Sequence, residues 1–334
     1  MRNKVFLFVG KILFLCFFIC LTAQCSKQEL KKKLPNVRIW MEKNGKPKVL
    51  STTAIIDDIV GKIGGDRIDH LALIVGEMDP HSYELVKGDD EKFSYADAVF
   101  SNGLGLEHGG SLRYQIEKHS MSVVLGDEVH KKYPEEIFYF EKQVDPHIWM
   151  DVSLWEKVIP YIIETLSLLD PEGSSYYQEN GTALAKKMNE FHQSIKEEMK
   201  QVPETKRYLV TSHDAFNYFT RAYLANEEER RTGSWENRCA APEGLAPEGQ
   251  LSVSDIKNIV EYLCRFQIHV VFPESNVNKD ALKKIVHVCS QKGLEVRVSK
   301  EELYGDALGD SPDDGYFSMM QHNVDVLRKE WEKK

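Results

Sequence analysis

Residues 48–75 read KVLSTTAIIDDIVGKIGGDRIDHLALIV, and the periods inside this stretch decide the fold class. Lys48-Val-Leu-Ser-Thr-Thr53 is compact, apolar and β-branched enough to predict a buried strand. Ile55, Ile59 and Ile63 then recur at helical spacing, and Ile68–Val75 returns to strand composition. Strand, crossover helix and second strand form the building unit of a parallel sheet. The alternation continues outward, with strands at Ala98-Val-Phe-Ser101 and Ser122-Val-Val-Leu125 around a helical stretch near Leu112–Lys118.

Further along, Val152–Leu169 reads as helix, and Asp170-Pro171 interrupts it. Asp170 suits an N-cap and Pro171 a first helical position, so a long helix is predicted over Ser174–Gln201. Its apolar stripe is Tyr177, Leu184, Met188, Phe191, Ile195 and Met199. At ~1.5 Å per residue such a helix spans roughly 40 Å, enough to join two lobes. Alternation resumes with strand Arg207–Thr211, helix His213–Tyr223, helix Val253–Arg265, strand Ile268–Phe272, helix Asp280–Lys292 and strand Leu294–Val298. Residues Leu224–Gln250 are charged and rich in Pro and Gly, with a doublet at Ala241-Pro-Glu-Gly244 and Ala246-Pro-Glu-Gly249, and read as a surface excursion. The expected fold class is α/β: two (β/α) lobes with parallel sheets, residues 47–170 and 202–334, joined by a single long backbone helix at 171–201.

The N-terminus carries a targeting pattern. Arg2 and Lys4 form a positive n-region, Ile12–Leu21 an apolar h-region, and Thr22-Ala-Gln-Cys25 offers small residues for cleavage. Residues 1–25 are therefore expected to be a signal peptide that exports the chain to the periplasm, with 26–46 a flexible segment. Cys25 stands where a lipid-modified cysteine would, although Thr22 and Gln24 are atypical for that processing.

Composition narrows the function. Across 334 residues, 43 Lys and Arg face 52 Asp and Glu, a net charge of −9. With no basic cluster to neutralise phosphates, nucleic acid is excluded as a partner, and an acidic surface favours cations. Of six cysteines, Cys16, Cys20 and Cys25 belong to the leader. Cys239, Cys264 and Cys289 remain, without CxxC spacing, which excludes a zinc ribbon or a disulfide scaffold. Cys264 and Cys289 fall on apolar helix stripes and read as buried, inert thiols.

Asp79-Pro80-His81 and Asp145-Pro146-His147 are identical tripeptides before new elements. Proline stiffens each turn, so each His is presented from a rigid loop. His213, in Val210-Thr-Ser-His-Asp214, repeats the placement at a strand end in the second lobe, and Asp306 lies in the tight loop Leu303-Tyr-Gly-Asp-Ala-Leu-Gly309. Three imidazoles and one carboxylate, two from each lobe, are the donor set for a shared Zn, Mn or Fe ion. His70, His108, His119, His130, His192, His269, His287 and His322 lack paired spacing and read as ordinary surface or core histidines.

These motifs, together with Phe272-Pro-Glu-Ser275 and Tyr316–Val324, resemble the metal-binding proteins of bacterial ABC importers for manganese, zinc and iron. The resemblance runs in order from about Lys48 to the C-terminus. It implies two lobes on a rigid helix with one transition-metal ion between them, held by His81, His147, His213 and Asp306. It also implies a monomeric partner for an inner-membrane ABC permease with a separate ATPase subunit. Zinc-specialised members often carry a His-rich loop before the second ligand. Here His130–Val144 holds one His and the acids Glu135, Glu136 and Glu141, a departure from zinc exclusivity.

Two other classes stay open at this level, a secreted metallohydrolase and a surface adhesin of the same fold. No HExxH, GxSxG or catalytic Cys/His signature is present, so no catalytic residues are assigned and the chain is not expected to be an enzyme. No GxxxxGK[ST] is present either, so transport energy must come from another subunit.

Overall fold

The computed structural model describes residues 37–140, 142–247, 252–309 and 315–333. The expected signal peptide at 1–25, residues 26–36, Glu141 and the Glu248-Gly249 end of the doublet lie outside the described residues. Val37–Trp40 form a helical turn in a first unit that ends at Asn44, and Gly45 begins the second.

In the second unit β1 (Lys48–Thr53) is buried along its whole length. It pairs in parallel with β2 (Asp69–Ile74), from Lys48↔Asp69 to Thr53↔Ile74. On its other side it pairs with β3 (Ala98–Ser101), and β3 pairs with β4 (Ser122–Val124), also in parallel. The order β2-β1-β3-β4 reverses direction between β1 and β3. Loops at the C-terminal ends of such strands are where open α/β sheets bind ligands. Helix α1 (Ala54–Gly64) starts where Thr53 Oγ1 accepts from Ile56 N, and it buries Ile55, Ile59 and Ile63 as the spacing predicts. Helices α2 (Asp89–Tyr95), α3 (Gly110–Lys118) and α4 (Leu125–Lys132), and the hairpin β5 (Tyr139–Phe140) and β6 (Gln143–Val144), complete this half.

The continuous helix expected over Val152–Leu169 is instead broken. A short α5 (Val152–Trp155) runs into a 3-10 turn, Glu156–Val158, before α6 (Ile159–Leu169) begins. Pro160 lies in the first turn of α6, where its missing N–H costs nothing, so the helix restarts there.

Helix α7 (Ser174–Lys200) is the long connector. Asp170 accepts from Gly173 N and from Tyr177 Oη and pairs with Arg67, anchoring its start. The buried stripe is Tyr177, Gly181, Leu184, Met188, His192, Ile195 and Met199, so His192 occupies the position expected for Phe191. His192 is accommodated by Tyr223 Oη, 2.9 Å from Nδ1. Gly181 weakens a helix interior by ~1 kcal/mol relative to Ala, yet here it admits α6. A Cβ would stand 2.4 Å from Ile163 Cδ1 and 3.1 Å from Ile159 Cγ2. Gly181→Val is expected to destabilise the fold by about 1–3 kcal/mol through overpacking, read as a lowered denaturant midpoint; an unchanged midpoint would show that α6 yields freely.

The second half repeats the first in miniature. Parallel pairs β7 (Leu209–Val210) with β8 (Cys239–Ala240), and β9 (Val270–Val271) with β10 (Arg297–Val298), are joined where Phe272 N donates to Val210 O at 2.8 Å. The resulting order β8-β7-β9-β10 is that of the first sheet. Helices α10 (Val253–Phe266) and α11 (Asp280–Gln291) bury Ile259, Leu263, Leu282, Ile285 and Cys289 in the core behind it. Cys239, Cys264 and Cys289 are all unbridged.

Two expectations fail here for identifiable reasons. The helix expected over His213–Tyr223 begins only with α8 (Asn217–Phe219) and continues as a π-turn over Thr220–Leu224. Glu274 Oε1 accepts from Ser212 N and His213 N, so those N–H groups answer to a carboxylate and stay out of a helix. The excursion at 224–250 is also more than surface. It contains α9 (Glu227–Thr232) with an Asn226–Glu229 capping box, buried Trp235 and Arg238, and strand β8, which covers the edge of β7. Trp235 packs on Phe138, ring centroids 4.6 Å apart.

The terminal α12 (Tyr316–Glu332) lies along both halves. Tyr316 N donates to Asp58 Oδ2 in α1, Tyr316 Oη to Trp149 O at 2.6 Å, and Arg328 pairs with Glu198 of α7. His322 stacks on Tyr304, in keeping with its reading as an ordinary surface or core histidine.

Candidate metal centre

His81 follows β2, His147 follows the β5–β6 hairpin, His213 follows β7 and Asp306 follows β10. The two Asp-Pro-His turns share a local cause. Asp79 Oδ1 accepts from His81 N at 2.9 Å, and Asp145 Oδ1 accepts from His147 N at 3.0 Å. In each, a carboxylate two residues upstream folds back on the chain and proline holds the turn open. Asp79 then takes Ser82 Oγ, whereas Asp145 takes the His147 ring at Nδ1, 2.7 Å away.

All four side chains named from the sequence meet, each buried, with one donor atom from each lying within 4.8 Å of the others. Nε2 of His81 and Nε2 of His147 are 3.3 Å apart. Asp306 Oδ1 is 3.6 Å from His147 Nε2, and Oδ2 is 3.3 Å from His213 Nε2 and 4.0 Å from His81 Nε2. Ligands held at ~2.0–2.2 Å in a tetrahedron have edges of roughly 3.3–3.6 Å; three of these separations match that spacing, and the His81–Asp306 pair at 4.0 Å is wider. Among buried side-chain atoms, His213 Nε2 and Asp306 Oδ1 make no hydrogen bond. Such orphaned polar atoms are costly unless something else satisfies them.

A surrounding shell orients the four. Asp145 fixes the tautomer of His147, leaving its Nε2 lone pair turned inward; Asn217 Nδ2 and Tyr218 Oη in turn hold Asp145. Glu274 Oε2 lies 2.7 Å from His213 Nδ1, and Asn276 Nδ2 donates to Asp306 Oδ2. Trp149 sits edge-on to His147 and donates from Nε1 to Gly305 O beside Asp306.

The electrostatics divide the imidazoles. Burial holds His81 down to about 3, outweighing the attraction of Asp306, so this ring is neutral. Burial also works against a charge on His213, but Glu274 and Asp306 overcome it and hold this imidazole well above its ordinary value. Burial would raise Asp306, yet His213, His147 and His81 keep its carboxyl well below the usual range. The site thus carries an ionised carboxylate and, at His81, a lone-pair nitrogen before any cation arrives.

The zinc-uptake complex component A family (ZnuA, periplasmic) matches residues 49–330. The chain belongs to the ZnuA family. It is 40% identical to Fe(III)-bound YtgA from Chlamydia trachomatis, with a TM-score of 0.81 over 86% of this chain and 98% of that one. The periplasmic zinc-binding protein TroA of Treponema pallidum superposes with a TM-score of 0.77 at 26% identity, over 86% of this chain and all of TroA. The manganese-binding lipoprotein MntA of Bacillus subtilis is 28% identical over 288 residues, 84% of this chain and 89% of MntA.

Sequence reasoning missed the supporting carboxylates of this ZnuA-family chain. Asp145 was visible inside its tripeptide, and Glu274 inside Phe272-Pro-Glu-Ser275, but neither role can be read without the partner ring. Asp145→Asn and Glu274→Gln keep size while removing charge, and each is expected to weaken ion binding about 10–100-fold. Titration calorimetry would check this, and unchanged affinity in either would mean its imidazole needs no orienting partner.

Proposed function

We propose that this protein captures one transition-metal ion, Zn, Mn or Fe, through His81, His147, His213 and Asp306, and delivers it to the permease of an ABC importer driven by a separate ATPase subunit. The observation that carries this reading is the buried convergence of three imidazoles and one carboxylate, one ligand atom from each lying within 4.8 Å of the others. The relatives' own names support it, since they are an Fe(III)-bound protein, a zinc-binding protein and a manganese-binding lipoprotein. Three nitrogen donors and one oxygen suit all three metals. The reading includes export by residues 1–25, action as a monomer outside the cytoplasm, a lipid anchor at Cys25, and two lobes, 47–170 and 202–334, on the connector 171–201. It assigns the chain no catalytic step. A hydrolase would need an open coordination position and a general base, whereas in this reading the four proposed donors are all supplied by the protein.

Calorimetric titration of the metal-free protein with Zn(II) and Mn(II) separately tests this. One ion per chain is expected, and no saturable binding of either would end the proposal.

Lobe movement should be small. Helix α7 buries one continuous stripe, α12 bonds to α1 and to Trp149, and Trp149 bonds to Gly305, so a hinge rotation would break buried contacts at several points. Solution scattering with and without Zn(II) should give the same radius of gyration within error; a clear compaction would show that these contacts yield.

A further inference from the structure

The Asp306 carboxylate turns both of its oxygens toward the site. Oδ1 lies 3.6 Å from His147 Nε2, and Oδ2 lies 3.3 Å from His213 Nε2. The two oxygens are not in the same state. Oδ2 already accepts from Asn276 Nδ2 at 3.0 Å, whereas Oδ1 is buried with no hydrogen bond. The carbonyl oxygen of the Asn276 side chain is likewise buried and unbonded, so the donation to Asp306 is this amide's one hydrogen bond among the described residues. Chemistry fixes which end of the amide faces the carboxylate, since its carbonyl turned that way would meet a second acceptor.

The backbone builds this contact. Leu303 N donates to Pro273 O at 2.8 Å and Ser275 N to Leu303 O at 3.0 Å, so Glu274 and Leu303 pair as a parallel bridge. Asn276 and Asp306 follow shortly after it on the two paired segments. Gly305 lets those segments come this close, because a Cβ there would stand 2.5 Å from Glu274 Oε2. Trp149 Nε1 also holds Gly305 O at 2.9 Å. The Asn276 amide is thus set against one oxygen of Asp306 by a fixed frame.

We propose that Asn276 is a specificity-determining residue: by holding Oδ2 it limits Asp306 to bonding the ion through Oδ1 alone, which favours Zn(II) over Mn(II). The inference rests on the reading of His81, His147, His213 and Asp306 as the ligands. Zn(II) is satisfied by four donors in a tetrahedron. Mn(II) favours oxygen donors and a larger shell, and it binds weakest in the divalent series, so a second carboxylate oxygen matters more to it. Turning Oδ2 onto the ion breaks the Asn276 hydrogen bond and leaves a buried amide without an acceptor. That cost falls on the metal that needs the second oxygen.

The test is competitive calorimetry with Zn(II) and Mn(II) on the metal-free unaltered protein, Asn276→Leu, Asn276→Ala and His147→Ala. Crystals of the Mn(II)-loaded unaltered protein and Asn276→Leu then show how many Asp306 oxygens bond the ion. Leucine keeps the branched shape of asparagine without its donor, while alanine leaves room for a water to donate in its place. Asn276→Leu is expected to move the ratio of the two Kd values about tenfold toward Mn(II), within the ~10–100-fold by which outer-shell partners act. Both Asp306 oxygens should then bond Mn(II), against one in the unaltered protein. Asn276→Ala should move the ratio the same way by less. An unchanged ratio in Asn276→Leu overturns the proposal even if both metals bind more weakly, because loss of a merely orienting contact weakens every metal alike. Mn(II) bonded by both Asp306 oxygens in the unaltered protein overturns it too. If circular dichroism shows Asn276→Leu unfolded, the ratio in Asn276→Ala decides by the same criterion. His147→Ala should lose affinity for both metals; if it binds as tightly as the unaltered protein, the reading of the ligands is what has failed, and the role of Asn276 falls with it.

Discussion

Replacing His147 by alanine is expected to lower ion affinity well beyond the ~10–100-fold that loss of an outer-shell partner costs, because it removes a donor from the coordination sphere itself. The same holds for His81, His213 and Asp306. Each change leaves a buried site with one open edge and leaves supporting groups unsatisfied, Asp145 behind His147 and Glu274 behind His213. The fold should survive, since all four residues sit on loops at strand ends while the cores lie behind the sheets. Calorimetry on the four single variants, with circular dichroism alongside, reads both effects. Unchanged affinity in any one removes that residue from the site.

Ion binding should release about one proton per ion at neutral pH, chiefly from His213. A free imidazole titrates near ~6.5, and Glu274 with Asp306 holds His213 well above its ordinary value, so the metal-free protein carries a proton there. The ion needs that nitrogen's lone pair, and the proton must leave. Affinity therefore falls as pH drops below the raised His213 value, and the loss begins on the alkaline side of a free histidine. His81, held down to about 3 by burial, stays neutral through the same range and does not compete. Equal competition at three imidazoles would give a steeper loss. Calorimetry in buffers of different ionisation enthalpy counts the protons. A count near zero would mean His213 is already neutral, and a count near three would mean burial does not hold His81 down.

The parallel alternation and the long connector were legible because their periods run over many residues, as in Ile55, Ile59 and Ile63 or in Tyr177 through Met199. The strands of the second half were placed but overestimated, since two hydrogen-bonded residues apiece are too few to set a period. Strand β8 was invisible for the same reason, and only its edge pairing with β7 defines it. His81 and His147 announced themselves because their turns are local, an Asp folded back on its own His across a proline. His213 was found, but its setting was misread as helix, because the group that captures its N–H is Glu274, far away in the chain. His192 displaced Phe191 from the buried stripe because Tyr223 offers it a partner, which no helical wheel reveals.

Metal-edge anomalous scattering from crystals of protein purified without added metal tests the central claim most directly. One peak is expected, within bonding distance, about 2.0–2.2 Å, of Nε2 of His81, His147 and His213 and of the Asp306 carboxylate. A peak elsewhere, or none among these four side chains in protein that calorimetry shows to bind the ion, would contradict it.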